Sequence, residues 1–336
     1  MVTYMSATYL IVVIIGFALL FDFLNGMNDA ANSIATIVST RVLSPRQAVA
    51  WAAFFNFVAA FGFGVGVAKT IGKGIVDPDV LTLWFVFSVL IGAIAWTYAC
   101  THFGLPISVS HALVGGIIGA GLVKGGVEVL LLGGIAKIAL FIVLSPLIGF
   151  VLGVLFTVAT TWIFRRWSPG RVDRFFRIGQ LFSSALFSLG HGANDAQKTM
   201  GIIVMALVAG HWQDNFHVPV WVILVCYTAI AMGTLLGGWR VVRTMGMRVT
   251  KLQPMGGFCA ESAAAASIIG NSLAGIPVST THTITGGIIG VGSVHRLSAV
   301  RWGVAGNIAI AWFLTIPGAA VISGLLYLGL RKLGMG

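Results

Sequence analysis

Two sequence motifs occur twice in this chain, in the same order and at nearly the same spacing. Residues 26–35 read G-M-N-D-A-A-N-S-I-A and residues 192–201 read G-A-N-D-A-Q-K-T-M-G, an offset of 166. Residues 104–121 read G-L-P-I-S-V-S-H-A-L-V-G-G-I-I-G-A-G and residues 275–292 read G-I-P-V-S-T-T-H-T-I-T-G-G-I-I-G-V-G, an offset of 171. Because two unrelated motifs do not recur in step by chance, the pattern indicates a duplicated half.

Long apolar segments dominate both halves. Of the 336 residues, 58% are hydrophobic and 9% are charged, and the mean hydropathy is +0.99. A bilayer core of about 30 Å needs about 20 apolar residues per helix, so the sequence predicts an all-α integral membrane protein. The ten segments are 7–43, 47–68, 80–103, 105–123, 134–163, 178–210, 218–239, 254–273, 276–294 and 302–330. The first, fifth and sixth exceed one simple span, which leaves a tilted helix, a broken helix or a hairpin plus a span for each.

The loop charges predict an orientation in the membrane. If the segments alternate sides from an outer N-terminus, 13 of the 20 Lys and Arg residues lie on the inner side and 5 on the outer side. Lys and Arg concentrate in the cytoplasmic loops of membrane proteins. Orientation therefore accounts for the formal net charge of +11, and we expect no nucleic-acid partner. The short, compact chain favours a multi-pass protein of a bacterial inner (plasma) membrane.

The basic loops alternate in opposite senses in the two halves. The loop after the first N-D motif carries Arg41 and Arg46, whereas residues 211–217, after the second, carry no Lys or Arg and residues 240–251 carry four. An odd number of crossings per half, five by this count, gives an inverted-topology repeat. We predict about ten membrane segments in two such repeats, 1–164 and 178–336, joined by a basic cytoplasmic linker at 165–177, with broken helices or helical hairpins at the midplane. A parallel duplication is the alternative.

The N-D motifs place carboxylates inside apolar segments. An ionised carboxylate at the centre of a membrane helix costs about 2.5–3.5 kcal/mol on insertion scales, so Asp29 and Asp195 should face the protein interior. With Asn28 and Asn194 they offer hard oxygen ligands for Na⁺, or carboxyl groups that take up a proton. The alternative is that each Asp caps a half-helix.

The second motif predicts a helix N-terminus inside the membrane. Gly-x-Pro precedes a hydroxyl cluster and a Gly-rich helix, and such an end presents free N–H groups and a positive dipole to an anion. Two copies could hold one tetrahedral oxyanion through Ser108, Ser110, Ser279, Thr280 and Thr281. Ordinary capping by Ser and Thr, with small-residue helix packing, is the alternative.

Other ionisable side chains lie in the same apolar segments. Lys198 should pair with a carboxylate, Asp195 or Glu261, or with a bound anion. Glu261 is a candidate proton or cation ligand, and Asp22 could serve the same cluster. His111 and His282 follow the hydroxyl clusters, where they could relay protons or simply pack.

The sequence carries no nucleotide-binding loop and no zinc-protease motif, so we expect no enzyme and no cofactor. Movement of a solute would then be driven by an ion gradient or be passive.

These motifs identify a family resemblance. The chain resembles the inorganic phosphate transporter (PiT) family of cation-phosphate symporters over residues 21–292, through both N-D motifs, both G-[LI]-P-[IV]-S-x-[ST]-H stretches, K-G-I-V-D at 73–77 and G-F-C-A-E at 257–261. The resemblance implies inverted repeats, a homodimer, and uptake of inorganic phosphate with Na⁺ or H⁺, in some bacterial members as a metal-phosphate complex. One departure is Lys69, where many relatives carry an acidic residue. A second is the missing cytoplasmic insertion of animal members.

By this resemblance, the site residues divide into two sets. The phosphate candidates are Ser108, Ser110, Ser279, Thr280 and Thr281, to which the charge of Lys198 is added; the coupling-ion candidates are Asn28, Asn194, Asp29, Asp195 and Glu261. We expect a secondary active phosphate importer. The alternatives are a sulfate permease on the same scaffold, a passive anion channel and a non-transporting receptor.

Overall fold

The computed structural model describes residues 2–335, except for the side chains of residues 2–6, 247, 248 and 295. Within those residues the protein is all-helical, as predicted, and contains no β-strand. The α-helices are α1 (Val2–Ser39), α2 (Pro45–Val58), α3 (Gly66–Lys73), α4 (Leu83–Phe103), α5 (Val109–Gly125), α6 (Leu132–Phe164), α7 (Pro169–Ala209), α8 (Val220–Leu236), α9 (Trp239–Arg248), α10 (Pro254–Leu273), α11 (Thr280–His295) and α12 (Trp302–Lys332).

The distribution of polar side chains is that of a membrane protein. Large apolar side chains such as Phe103 and Phe313 are 75% and 70% exposed, whereas Asp29, Asp195 and Glu261 are buried. Among the described residues, five helices are long and apolar enough to cross a bilayer, and seven if each bent pair counts as one span. The polar interior therefore belongs to helices held inside an apolar shell.

The bundle has one end rich in basic residues. Arg41 and Arg243 line one cavity there, and the Arg177 guanidinium at the start of α7 donates to the carbonyl of Arg41. At the opposite end, Lys73 lies over the ring of Phe216, 5.5 Å from its centroid. We refer to these as the basic end and the opposite end. The loops assigned to the inner side in the sequence thus meet at one end of the bundle.

Helices α1 and α7, which carry the two N-D motifs, run in opposite directions. Gly210, which follows α7, packs against Ile11 near the start of α1, while Arg177 reaches the end of α1. Both helices are unbroken, with 38 and 41 residues, and so is α6, with 33. The long predicted segments are therefore continuous helices. Since Asp29 and Asp195 lie in mid-helix, they are not caps.

The breaks lie instead at the second motif. Helices α4 and α5 form a hairpin: the segment before α4 pairs with the segment after α5 through a bridge between Val76 and Leu130. The tip reaches the middle of α1, where Asn28 donates to Thr101 of α4 at 2.8 Å. A matching hairpin, α10–α11, has its tip beside Asn194 of α7. Four predicted segments thus form two helical hairpins.

The two halves pack through matched pairs of helices. Helix α1 packs on α8 and α9 as α7 packs on α2 and α3, and α5 packs on α12 as α11 packs on α6. The α2–α3 and α8–α9 pairs are both sharply bent, by 85° and 73°. Helix α7 begins at Pro169, within the predicted linker 165–177, with proline in its first turn.

Candidate functional site

The centre of the molecule holds two carboxylates and one imidazole. His191 Nε2 lies 3.1 Å from Asp195 Oδ2 and 3.7 Å from Asp29 Oδ2, and all three side chains are buried. His191 and Asp195 are four residues apart on α7 and therefore share a face of that helix, while Asp29 comes from α1. The three ligand atoms lie within 4.8 Å of one another, close enough to hold one cation. Two carboxylates this close repel each other unless a proton or a cation lies between them.

Hydroxyl groups from the tip of α11 complete this cluster. Thr280 Oγ1 lies 3.2 Å from Asp29 Oδ2 and 3.0 Å from Asp195 Oδ2, so one hydroxyl is shared by both carboxylates. Thr281 Oγ1 lies 3.4 Å from Asp29 Oδ1 and 3.0 Å from the Ile107 carbonyl of the other hairpin. The tip of α11 is thus tied to both N-D helices and to the tip of α4–α5.

Lys198 connects the carboxylates to both hairpin tips. Its ammonium pairs with Asp195, donates to Ser110 Oγ at 2.5 Å and donates to the Val278 carbonyl at 2.9 Å. Of the two carboxylates predicted as partners of Lys198, Asp195 pairs with it and Glu261 does not. A fully buried ion pair with both ions hydrogen-bonded is the arrangement that an apolar surrounding tolerates.

The first turns of α5 and α11 meet at the centre. Ser108 and Ser279 are their N-caps: each hydroxyl accepts from a backbone N–H three residues later, at 3.4 Å for His111 and 3.2 Å for His282. The two imidazoles are 4.7 Å apart between centroids. Capping therefore describes Ser108 and Ser279, whereas Ser110, Thr280 and Thr281 contact the charged cluster. The first N–H groups of a helix lack intrahelical partners, and the first turns of both helices lie at this centre.

The side chain of His282 is packed between neighbouring helices. The imidazole of His282 stacks on Trp312 with centroids 3.8 Å apart, and its Nδ1 lies 3.3 Å from the Ile142 carbonyl. These contacts fix the ring between α11, α12 and α6.

The two motif asparagines hold the hairpins rather than joining the carboxylate cluster. Asn28 donates to Thr101 of α4, and Asn194 donates to Ser272 of α10 at 2.9 Å and to the Ile276 carbonyl at 3.3 Å. Successive helical residues point about 100° apart, so Asn and Asp of one motif face different neighbours. The predicted four-residue ligand set is therefore divided in the structure.

Glu261 lies apart from the centre, towards the basic end. Its carboxylate accepts hydrogen bonds from Thr36 at 2.5 Å, Ser183 at 2.5 Å and Gln180 at 3.0 Å. Gln180 in turn accepts from Thr40 at 2.8 Å. This buried polar group, built by α1, α7 and α10, is distinct from the Asp29–His191–Asp195 cluster.

His191 is not among the residues predicted from the sequence. Its Nδ1 lies 3.1 Å from Asn56 Oδ1, which fixes the ring so that Nε2 faces the carboxylates. The available signal was the i, i+4 spacing of His191 and Asp195 on one predicted helix, since such pairs meet on one face. Asn56 itself carried no sequence signal, because it is a single amide in an apolar segment.

Helical hairpins whose tips meet at a buried charged centre, inside an apolar shell, indicate a membrane transport protein. The comparisons with known proteins agree. A profile described as "Phosphate transporter family" matches residues 25–323, and the chain belongs to that family. It is a transporter family, as the sequence resemblance indicated.

Individual relatives extend over almost the whole chain. A "Probable low-affinity inorganic phosphate transporter" of Rhizobium meliloti is 56% identical over 319 residues, 95% of this chain and 96% of the relative. A protein of the same name from Bacillus subtilis is 42% identical, again over 95% and 96%. A solved structure, "The sodium-dependent phosphate transporter", superposes with a TM-score of 0.87 at 26% identity and covers 97% of this chain and 100% of that one. The sulfate alternative finds no support in these names.

Proposed function

We propose that this protein is a secondary active transporter that imports inorganic phosphate by symport with Na⁺ or H⁺ across a bacterial plasma membrane. The observation that carries the proposal is the buried centre. There, two carboxylates lie within hydrogen-bond distance of the hydroxyls and the lysine that also contact two helix N-termini. Cation-binding and anion-binding groups are therefore side by side.

Phosphate binds between the two hairpin tips in this proposal. Ser110, Thr280 and Thr281 supply hydroxyls and Lys198 supplies positive charge, while the first turns of α5 and α11 supply N–H groups and the positive ends of two helix dipoles. Ser108 and Ser279 contribute by capping these turns and so fixing their direction. Since Lys198 is already paired with Asp195 in this structure, an incoming phosphate competes with that carboxylate for the ammonium.

The coupling cation binds beside it, at Asp29 and Asp195. His191, which lies against both carboxylates, orients them, and Asn28 and Asn194 hold the surrounding hairpins in place. A dianion or a cation alone is costly in a low-dielectric core, whereas adjacent opposite charges stabilise each other. Coupled binding follows from that mutual neutralisation.

Glu261 forms a separate binding site for a cation or a proton, between the centre and the basic end. It accepts three hydrogen bonds and has no basic partner among the described residues. A buried acid of this kind within the membrane is by default a functional residue.

Release towards the cytoplasm takes place at the basic end. A cavity of about 710 Å³ lies there, lined by residues that include Ala35, Arg41, Arg243 and Lys251. Ala35 is six residues after Asp29, or about 9 Å along the helix axis. Basic residues around this cavity attract the departing anion, and the predicted orientation places them in the cytoplasm.

The two halves are related as inverted repeats in this proposal. Support comes from the opposite directions of α1 and α7. The matched helix pairs, each of which joins a helix of one half to a helix of the other, also support it. The fold also suggests a different count of crossings: α1, the bent pair α2–α3 and α6 cross once each, while α4–α5 re-enters. Three crossings per half are odd, as inversion requires. The homodimer and a metal-phosphate form of the substrate stay predictions.

The proposal is tested by radiolabelled phosphate uptake into proteoliposomes with an imposed Na⁺ gradient, an imposed proton gradient, or neither. Transient accumulation above equilibrium with one gradient, unaffected by excess sulfate, is the expected result. Asp29→Asn and Asp195→Asn should each abolish it, whereas Asp173→Asn, at an exposed acid paired with Arg177, should not.

Other outcomes would overturn parts of the proposal. Flux that only dissipates a phosphate gradient identifies a channel, and sulfate accumulation identifies the sulfate permease. Wild-type accumulation in both Asp29→Asn and Asp195→Asn would refute the assignment of the cation site.

A further inference from the structure

The polar face of α1 continues past the central site towards the opposite end. Buried polar residues follow one another at helical spacing in the order Asp22, Asn25, Asn28, Asp29, Asn32, Ser33, Thr36 and Thr40. From Asp22 to Thr40 there are 18 residue steps, which extend about 27 Å along the axis, most of the thickness of a bilayer core. Hydrogen bonds at the central site and the Glu261 group involve Asn28, Asp29, Asn32, Thr36 and Thr40, but neither Asp22 nor Asn25.

Asp22 is fully buried. Neither of its carboxylate oxygens has a hydrogen bond within the part of the chain that the structure describes, and the same holds for Asn25 Oδ1, Thr199 Oγ1 and the Tyr227 hydroxyl. Asn25 and Thr199 lie next to the Asp22 carboxyl. Tyr227 lies near it on α8, one turn before Ile230, whose carbonyl packs against Gly26 of α1. Buried polar groups in native proteins are nearly always hydrogen-bonded, so several unpartnered oxygens around one acid point to a missing ligand.

We propose that Asp22, Asn25, Thr199 and Tyr227 form a second site for the coupling cation, on the opposite-end side of the centre. The four residues offer a carboxylate, an amide carbonyl and two hydroxyls, which are hard oxygen ligands suited to Na⁺. The Asp22 carboxylate can instead take up a proton, which carries the same single positive charge as Na⁺. One carboxylate neutralises one charge, so the site fits a monovalent cation rather than a divalent one.

This site precedes the central one on the path that the orientation predicts. Asp22 is seven residues before Asp29, hence on the same face and about 10 Å further from the basic-end cavity. The titratable groups around it are Cys226 and Tyr227 of α8 and His191 and Asp195 of α7. A cation at Asp22 therefore adds positive charge near the central carboxylates before phosphate release. The inference rests on the proposed symport and adds a cation-binding site to the transport path.

The experiment compares Asp22→Asn, Thr199→Val and Tyr227→Phe with wild type and with Asp79→Asn, which changes an exposed acid. Equilibrium binding of radiolabelled Na⁺ to purified protein gives the number of ions per transporter, and phosphate uptake against Na⁺ concentration gives the half-saturating concentration. A parallel series varies the proton gradient and counts protons taken up per phosphate in weakly buffered vesicles.

The expected result is one fewer cation per transporter in Asp22→Asn. Thr199→Val and Tyr227→Phe, which remove only a hydroxyl ligand, should raise the half-saturating cation concentration at least threefold, and Asp79→Asn should match wild type. The series in which these changes appear identifies the cation as Na⁺ or H⁺.

The two proposals fail in different ways. If neither gradient drives uptake by the wild type, the symport proposal is refuted. If the wild type couples uptake to a gradient and all three variants keep its cation number and half-saturation, the second site is refuted while symport stands. Should Asp22→Asn not purify as a monodisperse protein, Thr199→Val and Tyr227→Phe decide the question, because neither alters charge and each changes one polar atom.

Discussion

Lys198→Met should destabilise the protein and abolish transport, and a second substitution should separate these effects. Methionine is unbranched and one atom shorter than lysine, and it removes the donors to Asp195, Ser110 and the Val278 carbonyl. Removing one partner of a buried ion pair costs about 3–5 kcal/mol because the other charge stays buried. His191 remains 3.1 Å from Asp195, so we expect a value near the lower limit, about 3 kcal/mol.

The compensating variant is Asp195→Asn with Lys198→Met. With both charges removed, no buried ion is left without its partner. The two single substitutions each lower the free energy of unfolding. The double substitution should lower it by less than the sum of those two losses, with a difference of at least about 1–2 kcal/mol, within the range found for residues in contact. It should still not accumulate phosphate, because both the ammonium and the carboxylate of the proposed site are gone.

The assay is unfolding in mixed micelles by increasing SDS, followed through the fluorescence of the ten tryptophans. Uptake into proteoliposomes is measured on the same preparations. If the free energy of unfolding of the double variant falls by the sum of the two single losses, the two side chains are not coupled and the geometry of the pair is wrong. If it recovers phosphate accumulation as well as stability, the assignment of Lys198 to phosphate is wrong.

Three further predictions concern single positions. Gly286→Ala should destabilise by about 1–3 kcal/mol, since its Cβ would lie 2.1 Å from a carbonyl oxygen of α6, whereas Gly303→Ala, with nothing within 4 Å, should be neutral or slightly stabilising in the same SDS titration. Thr280→Val should raise the half-saturating cation concentration for uptake at least threefold, because the hydroxyl shared by both carboxylates is lost; an unchanged value would contradict its place in the site. Glu261→Gln should lower the uptake rate while leaving phosphate binding intact, as measured by equilibrium binding, because it removes a charge outside the phosphate site.

The repeat and the membrane class could be predicted from the sequence because both depend on patterns along the chain. Apolar length identifies helices, and motif recurrence identifies duplication. Which segments pair into hairpins could not be predicted, because the 17 residues of α5 have the hydropathy of a membrane span whether they cross the bilayer or turn back within it. That choice is made by contacts such as Asn28 with Thr101, between residues 73 positions apart.

The candidate site shows the same division between local and long-range information. Asp29, Asp195 and Lys198 were recognisable because a charge in an apolar segment needs a partner. The partners themselves come from distant segments: Thr280 is 251 residues from Asp29 and 85 from Asp195. The hydrogen bonds of Asn28 and Asn194 to the hairpins could not be predicted for a related reason. Adjacent helical residues point in different directions, and only the packed helices show which neighbours each one meets.

The burial of Asp29 against His191 also has a consequence for biosynthesis. The imidazole is encoded 162 residues after the carboxylate, and at about 5–20 residues per second the ribosome needs about 10–30 s to reach it. During that interval α1 carries its acidic face without the helix that covers it. The nascent first half should therefore be retained beside the insertion machinery until α7 emerges, and chains arrested before residue 191 should remain crosslinkable to that machinery.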